Sequence, residues 1–142
     1  MLTLNAGRTR RGFTLIELVV VVLVIGILAA VAAPKMFDTA TTAKTNSARQ
    51  SLGVVRSAIE LYKAQNGTYP GQTGSGAALA TDLKPFIKGP FPKVSVAGAP
   101  GDATVKYETN GNGVGAADGT KDWLYDTVDG TLVINVTGLD SY

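Results

Sequence analysis

Glu17 has the most unusual chemical setting in this chain, because its carboxylate lies inside a long apolar segment. Between Phe13 and Ala33 only Thr14 and Glu17 are polar, and no basic residue within the run could neutralise the acid. A carboxylate inside a membrane costs on the order of 3 kcal/mol on insertion scales. The sequence therefore predicts that Glu17 has a partner or a function.

Asp, Asn and Gly residues cluster near the C-terminus and form a second group that could do chemistry. Calcium prefers about six to eight oxygen ligands. Asn110, backbone carbonyls and four aspartates could supply them: Asp118, Asp122, Asp126 and Asp129. The spacing is not that of an EF-hand loop, and such clusters often form turns instead. No cofactor is required by the sequence, and Ca²⁺ is the one candidate.

The composition excludes several kinds of catalytic and metal site. The chain has no Cys and no His, which rules out disulfides, Cys/His zinc sites and a Ser-His-Asp triad. The spacing Gly111-x-Gly113-x-x-Ala116 formally fits a dinucleotide fingerprint, but no βαβ unit surrounds it. The sequence therefore indicates a protein that is not an enzyme.

The apolar run that contains Glu17 predicts a membrane-spanning helix. The residues from 13 to 33 would form a helix of roughly 32 Å, and a bilayer core is about 30 Å thick. Gly26 and Pro34 are soft points, since Gly weakens a helix and Pro removes a backbone donor. We expect Pro34 to weaken or kink the helix, or to mark where it leaves the bilayer.

Helical periodicity continues beyond Pro34, but on one face only. The apolar residues step by four and three along the chain: Ala48, Leu52, Val55, Ile59 and Tyr62. Asn66-Gly67 supplies a stop signal, because Gly readily takes the left-handed conformation that caps helices. One helix from Phe13 to Gln65 is predicted, hydrophobic all round over 13–33 and amphipathic over 34–65.

Residues 66–142 predict a small head domain that packs on the amphipathic half of the helix. A loop from Asn66 to Ala78 leads to a short helix within 77–87, which Pro85 limits. The strand candidates are 103–108, 123–125 and 132–136, with a hairpin turn over 126–130. The predicted fold class is α+β: a long N-terminal helix packed on a small antiparallel β-sheet.

The N-terminal sequence also resembles a known processing signal. Residues 12–17 read Gly-Phe-Thr-Leu-Ile-Glu, follow a basic leader, and resemble the class III signal peptides of type IV pilins and type II secretion pseudopilins. Residues 61–70 resemble the helix end of the major pseudopilin and of short pilins. The resemblance implies a pilin-like roll and cleavage between Gly12 and Phe13 by a prepilin peptidase. It also implies N-methylation of Phe13 and a role for Glu17 in filament assembly.

These implications define the expected organisation and partners. Residues 1–12 would be a cleaved leader, and its Arg8, Arg10 and Arg11 would stay cytoplasmic. Without them the chain has 10 Lys and Arg against 11 Asp and Glu, so the basic pI does not predict nucleic-acid binding. The expected partners are membrane lipid before assembly, the peptidase and methyltransferase, an inner-membrane assembly platform and further copies of the chain.

The expected location is the inner membrane, with a single pass and the C-terminal part outside the cytoplasm, followed by a periplasmic or extracellular filament. A pseudopilus of type II secretion is slightly favoured over a type IV or competence pilus. Other interpretations of the N-terminus are a twin-arginine signal, a secretory leader cut near Ala33, or a plain anchor. Each would give an exported or anchored binding domain that does not polymerise.

Overall fold

The computed structural model describes residues 12–72 and 78–141. The basic leader residues Arg8, Arg10 and Arg11, and part of the loop predicted after the first helix, lie outside the described residues. The chain divides into two compact units, 1–39 and 40–142. Both contain part of helix α1, which runs over Leu15–Asn66 and so agrees with the predicted helix to within two residues at each end.

The described part of the first unit, residues 12–39, contains the apolar part of α1. Its large hydrophobic side chains are all exposed, from Leu15 at 80% to Phe37 at 74%. The helix is long and apolar enough to cross a membrane by length and composition, with a mean hydropathy of 3.1 in its most apolar window. Gly26 and Pro34 both lie inside α1, and the helix continues through them.

In the second unit the amphipathic stripe of α1 forms one wall of the core, as predicted. Four of its members are buried: Ala48, Leu52, Val55 and Ile59. Tyr62 is half-buried and packs against the same cluster. The helix ends where Gly67 takes a φ of 77° and donates its N–H to the Lys63 carbonyl at 2.8 Å. This left-handed glycine is the stop that the sequence predicts.

A short helix and turn pack beside this stripe. Helix α2 covers Ala78–Asp82, which is shorter than predicted because the chain turns before Pro85. Leu79, Leu83 and Ile87 enter the core, while the Phe86 ring meets Tyr62 edge-on at 6.0 Å. Segment 78–87 therefore belongs to the same layer as α1.

The sheet has three strands in the order β1-β2-β3: Val105–Glu108, Trp123–Asp126 and Leu132–Ile134. Strands β2 and β3 pair antiparallel, as predicted, and are joined by the expected turn, where Gly130 donates to the Asp126 carbonyl at 3.0 Å. Strands β1 and β2 pair parallel, so the expectation of an all-antiparallel sheet is wrong on this point. Parallel neighbours need a crossover of a dozen or more residues, and the segment 109–122 provides one without a helix.

The two faces of the sheet meet different layers. Trp123 and Tyr125 on β2 join the core cluster that contains α1, and β3 contributes Leu132 and Ile134 to the same face. Leu124 is equally buried but points to the other face, since successive strand residues alternate. There the crossover 109–121 covers it. The second unit is thus built as a helix layer, a sheet and a loop layer.

Candidate assembly and processing site

Helix α1 begins with a capping box formed by Thr14 and Glu17. The Thr14 backbone N–H donates to Glu17 Oε2 at 2.9 Å, and the Thr14 hydroxyl donates to the same oxygen at 3.0 Å. In return the Glu17 N–H donates to Thr14 Oγ1 at 3.3 Å. Reciprocal bonds of this kind satisfy backbone donors that a helix start otherwise leaves unpaired. The Thr-x-x-Glu spacing is the sequence signature of this motif, so the capping box could have been predicted from the sequence.

The predicted cleavage bond lies directly before this motif. Gly12 and Phe13 precede the first helical residue, and Phe13 is 86% exposed. Nothing lies within 4 Å of the position that a Cβ on Gly12 would take. A new amino group on Phe13 would belong to the residue directly before Thr14, whose N–H Glu17 already binds. A cut after Gly12 would thus create a positive charge four residues before the only acid in the apolar run.

The surface around this motif is apolar on every side of the helix. Exposures of the large side chains from Ile16 to Leu28 lie between 48% and 65%. Among residues 12–39 such a surface has no partner, so it is suited to lipid or to packing against other helices. Glu17 is the one charged group between Leu15 and Leu28.

The four predicted calcium ligands are engaged in separate backbone contacts. Asp122 is fully buried and accepts N–H bonds from Val94, Gly101 and Ala103 at 2.7–2.9 Å. Asp126, also fully buried, accepts from Gly111 at 2.9 Å. Asp126 on β2, and Asp122 directly before it, thus hold loop segments against this strand.

The other two aspartates, Asp118 and Asp129, also accept backbone N–H groups and lie nearer the surface. Asp118 forms an ion pair with Lys106 at 2.7 Å, and this contact, together with hydrogen bonds from Thr120 and Asn135, holds the pKa of Asp118 well below its ordinary value. Asp129 accepts the N–H of Gly113 at 2.6 Å.

Within residues 12–72 and 78–141, no group of three or more Asp, Glu, His or Cys side chains is placed to hold a metal ion. In the described residues the structure therefore does not bring the four aspartates together as a group of ligands. Calcium binding stays a prediction, which heat unfolding of the protein with and without Ca²⁺ would test.

One family model and several relatives are similar to this chain. A family model described as "Prokaryotic N-terminal methylation motif" matches residues 7–33. The chain is 40% identical to the type II secretion system core protein G of Pseudomonas aeruginosa over 63 residues, which are 44% of each chain. It is 40% identical to a fimbrial protein of Neisseria meningitidis over 76 residues, 53% of this chain and 45% of that one.

A longer match is to the fimbrial protein EcpC of Eikenella corrodens, 31% identical over 104 residues, 73% of this chain and 67% of the relative. The chain spans about half the length of the first relatives it matches. The matched residues are 44%, 53% and 45% of those relatives' own lengths. No solved structure matches it. The match to EcpC is long enough that it must include part of the head, residues 66–142.

Proposed function

Because the chain belongs to the type IV pilin-like family, we propose that it is a structural filament subunit rather than an enzyme. In this proposal a peptidase at the inner membrane cuts the precursor after Gly12, and Phe13 is N-methylated. The mature chain then polymerises through its N-terminal helix, with the head outside the cytoplasm. A pseudopilus of type II secretion is slightly favoured, and core protein G relatives support that choice.

The observation that carries this proposal is the position of Glu17. Its carboxylate lies at the start of the apolar, exposed part of α1, three residues after Thr14 and four after the expected new terminus. In a filament the Phe13 ammonium of an incoming copy would neutralise the Glu17 of a copy already assembled. N-methylation keeps the positive charge, so the pair would survive it.

The energetic exchange in assembly follows from the same surface. Before assembly the side chains from Val19 to Ala33 would face lipid, and in the filament they would face other helices. Lipid tails are as apolar as these side chains, so helix packing and the charge pair, rather than hydrophobicity, would favour assembly. Glu17 would then set the axial register, because only one offset places each ammonium beside a carboxylate.

A type IV or competence pilus is the second candidate, and the longer match to a fimbrial protein favours it. Both machines would use the same processed helix. Neighbouring genes would separate them: a secretion ATPase with an outer-membrane secretin indicates the pseudopilus, and a retraction motor indicates the pilus. An exported domain that never polymerises is the further alternative.

The intact mass of the protein extracted from membranes tests processing. We expect a chain that starts at Phe13 and carries one methyl group. A chain that starts near Ala33 would show that a secretory leader was removed and that no filament helix remains. An uncut chain would indicate a plain membrane anchor. Either result would contradict the proposal.

Substitution of Glu17 tests assembly separately from processing. We expect Glu17→Ala to leave cleavage intact but to reduce filament yield at least about tenfold, because an unpaired ammonium is left in an apolar interface. Glu60→Ala, which removes an exposed carboxylate from the same helix, is the matched control and should assemble normally. Normal filaments from Glu17→Ala would overturn the proposed role of this carboxylate.

A further inference from the structure

The dipeptide Asn-Gly occurs three times in this chain, at 66–67, 110–111 and 112–113. Asparagine side chains deamidate most readily in this dipeptide, because glycine has no Cβ to shield the backbone nitrogen that starts the reaction. All three asparagines are exposed to solvent, so water reaches their side-chain amides. By residue type alone, each of the three is therefore a site of spontaneous chemical modification.

The reaction takes place within the dipeptide and consumes only water. The glycine nitrogen gives up its proton and forms a bond to the asparagine Cγ, and the bond between Cγ and Nδ2 breaks. The side-chain nitrogen takes up a proton and leaves as ammonia, and a cyclic imide remains. Water then opens this ring at either carbonyl to give aspartate or isoaspartate. The first step therefore requires a backbone N–H that can lose its proton and approach Cγ.

Carboxylates hold two of these backbone nitrogens, both in segment 109–122, the crossover from β1 to β2. Gly113 donates its N–H to Asp129 Oδ2 at 2.6 Å, and Gly111 donates its N–H to Asp126 Oδ2 at 2.9 Å. Hydrogen bonds to a charged acceptor are stronger than neutral ones, so each nitrogen is held in place. A carboxylate also opposes loss of the proton, because the resulting anion would face a second negative charge.

The two asparagines of this segment differ in how their side chains are held. Asn110 Oδ1 accepts the Asn112 backbone N–H at 2.8 Å, so the Asn110 side chain is fixed as well as the nitrogen that follows it. Within the described residues, the Asn112 side-chain amide makes no hydrogen bond. Restraint of Asn112 therefore depends on the single bond between Gly113 and Asp129.

We propose that Asn112 is a latent deamidation site that Asp129 keeps unreactive, and that Asp126 protects Asn110 in the same way. Conversion to isoaspartate would insert an extra carbon into the backbone of the crossover on which the parallel pairing of β1 and β2 depends. Either product would also put a negative charge on residue 112, next to the glycine that Asp129 binds. The inference does not depend on the filament function.

Asp129→Ala tests the protection in the full-length protein, kept in detergent and mildly alkaline buffer. Trypsin cuts after Lys106 and Lys121, so both asparagines of the crossover lie in one peptide and Asn66 lies in another. Mass spectrometry of these peptides measures the conversion of each asparagine. We expect Asn112 to convert at least about tenfold faster than in the parent, which corresponds to about 1.4 kcal/mol.

Asn66 is the reference within the same molecule. The nitrogen that follows it, on Gly67, donates to the neutral Lys63 carbonyl at 2.8 Å and makes no contact with a carboxylate. Conversion of Asn66 should therefore be the same in Asp129→Ala and in the parent. An equal rise at Asn66 and Asn112 would show that the substitution loosens the whole head, and would overturn the proposal.

Asp140→Ala is the matched control variant. Asp140 Oδ1 also accepts a glycine N–H, that of Gly138 at 3.1 Å, but Thr137 rather than an asparagine precedes this glycine. Asp140→Ala should leave the conversion of Asn112 at the parent rate. A rise as large as that in Asp129→Ala would contradict a specific role for the carboxylate at 129.

The parent chain provides a second measurement that needs no variant. Unfolding in urea removes both protective contacts, so Asn110 and Asn112 should convert at least about tenfold faster than in the folded parent. If Asp129→Ala does not fold, Asp129→Ser replaces it, since a serine hydroxyl can still accept the Thr131 N–H of the turn. Equal rates in folded and unfolded parent, or an unchanged rate at Asn112 in the folded variant, would overturn the proposal.

Discussion

Buried polar side chains in the head have their hydrogen bonds satisfied by backbone groups of distant segments. Three N–H groups converge on Asp122, and the Tyr125 hydroxyl donates to the Pro70 carbonyl at 3.1 Å. No buried side-chain nitrogen or oxygen in the described residues lacks a partner. The aspartates looked like metal ligands because residue type alone does not distinguish a carboxylate that binds a cation from one that caps a loop. Only the position of the N–H donors does, and that depends on the tertiary fold.

Tyr125 should make the head sensitive to alkali. Burial raises the pKa of Tyr125 above its ordinary value, so in strong base the unfolded chain ionises at this residue before the folded chain does. Its contribution to stability is therefore complete below about pH 10 and is lost as the pH rises further. We expect Tyr125→Phe to cost about 1 kcal/mol at neutral pH through the lost hydrogen bond.

The same variant should lose less stability than the parent between about pH 9 and pH 11. Heat unfolding followed by circular dichroism at several pH values measures both effects. The parent at neutral pH is the reference, and an unchanged alkaline slope would show that another group governs the loss.

At the scale of elements, periodicity was sufficient for the helix and insufficient for the sheet. The stripe from Ala48 to Tyr62 repeats at helical spacing, so its buried face could be read directly. The ends of the strands were predicted to within about two residues, but the parallel pairing of β1 with β2 was not predicted. Strand direction depends on the path of the crossover 109–122, which has turn residues and no periodic pattern. Its route is set by contacts such as Gly119 to Asn135, which are distant in sequence.

The turn between β2 and β3 depends on a glycine for two reasons. Gly130 has a φ of 80°, and a Cβ there would collide with the ring of Tyr69. Gly138 has a similar φ of 84° but nothing within 4 Å of its Cβ position. Comparing substitutions at these two glycines therefore distinguishes the cost of backbone strain from the cost of steric overlap.

We expect Gly138→Ala to cost about 1 kcal/mol from strain alone, and Gly130→Ala to cost about 3 kcal/mol because the Tyr69 ring must also move. Urea unfolding of both variants measures the difference. Equal costs would mean that Tyr69 moves away freely and does not hold the turn.

At the scale of the whole molecule, the two units differ in whether their apolar side chains are buried. The buried hydrophobic core, from Ala48 to Val136, lies entirely within residues 40–142. Residues 12–39 bury nothing and expose every large apolar side chain. In the sequence the change from all-round to one-sided hydrophobicity lies near Pro34, whereas the two units divide after residue 39.

A chain that starts at Ala40 should therefore fold without the apolar helix. We expect a cooperative heat transition in plain buffer, with no detergent, since the core cluster is complete in that segment. The full-length protein in detergent is the comparison and should unfold at a similar temperature. A fragment without a cooperative transition would show that the first unit stabilises the head.

The edge of the sheet at β3 is partly closed by a side chain. Strand β3 stands at the end of the strand order β1-β2-β3, and Arg56 of α1 donates to the Leu132 carbonyl from Nε at 3.0 Å and from Nη2 at 2.7 Å. An uncovered strand edge is a template on which a strand of another chain can pair. The guanidinium that anchors the helix to the sheet thus also blocks β-pairing of the head with foreign strands at this carbonyl.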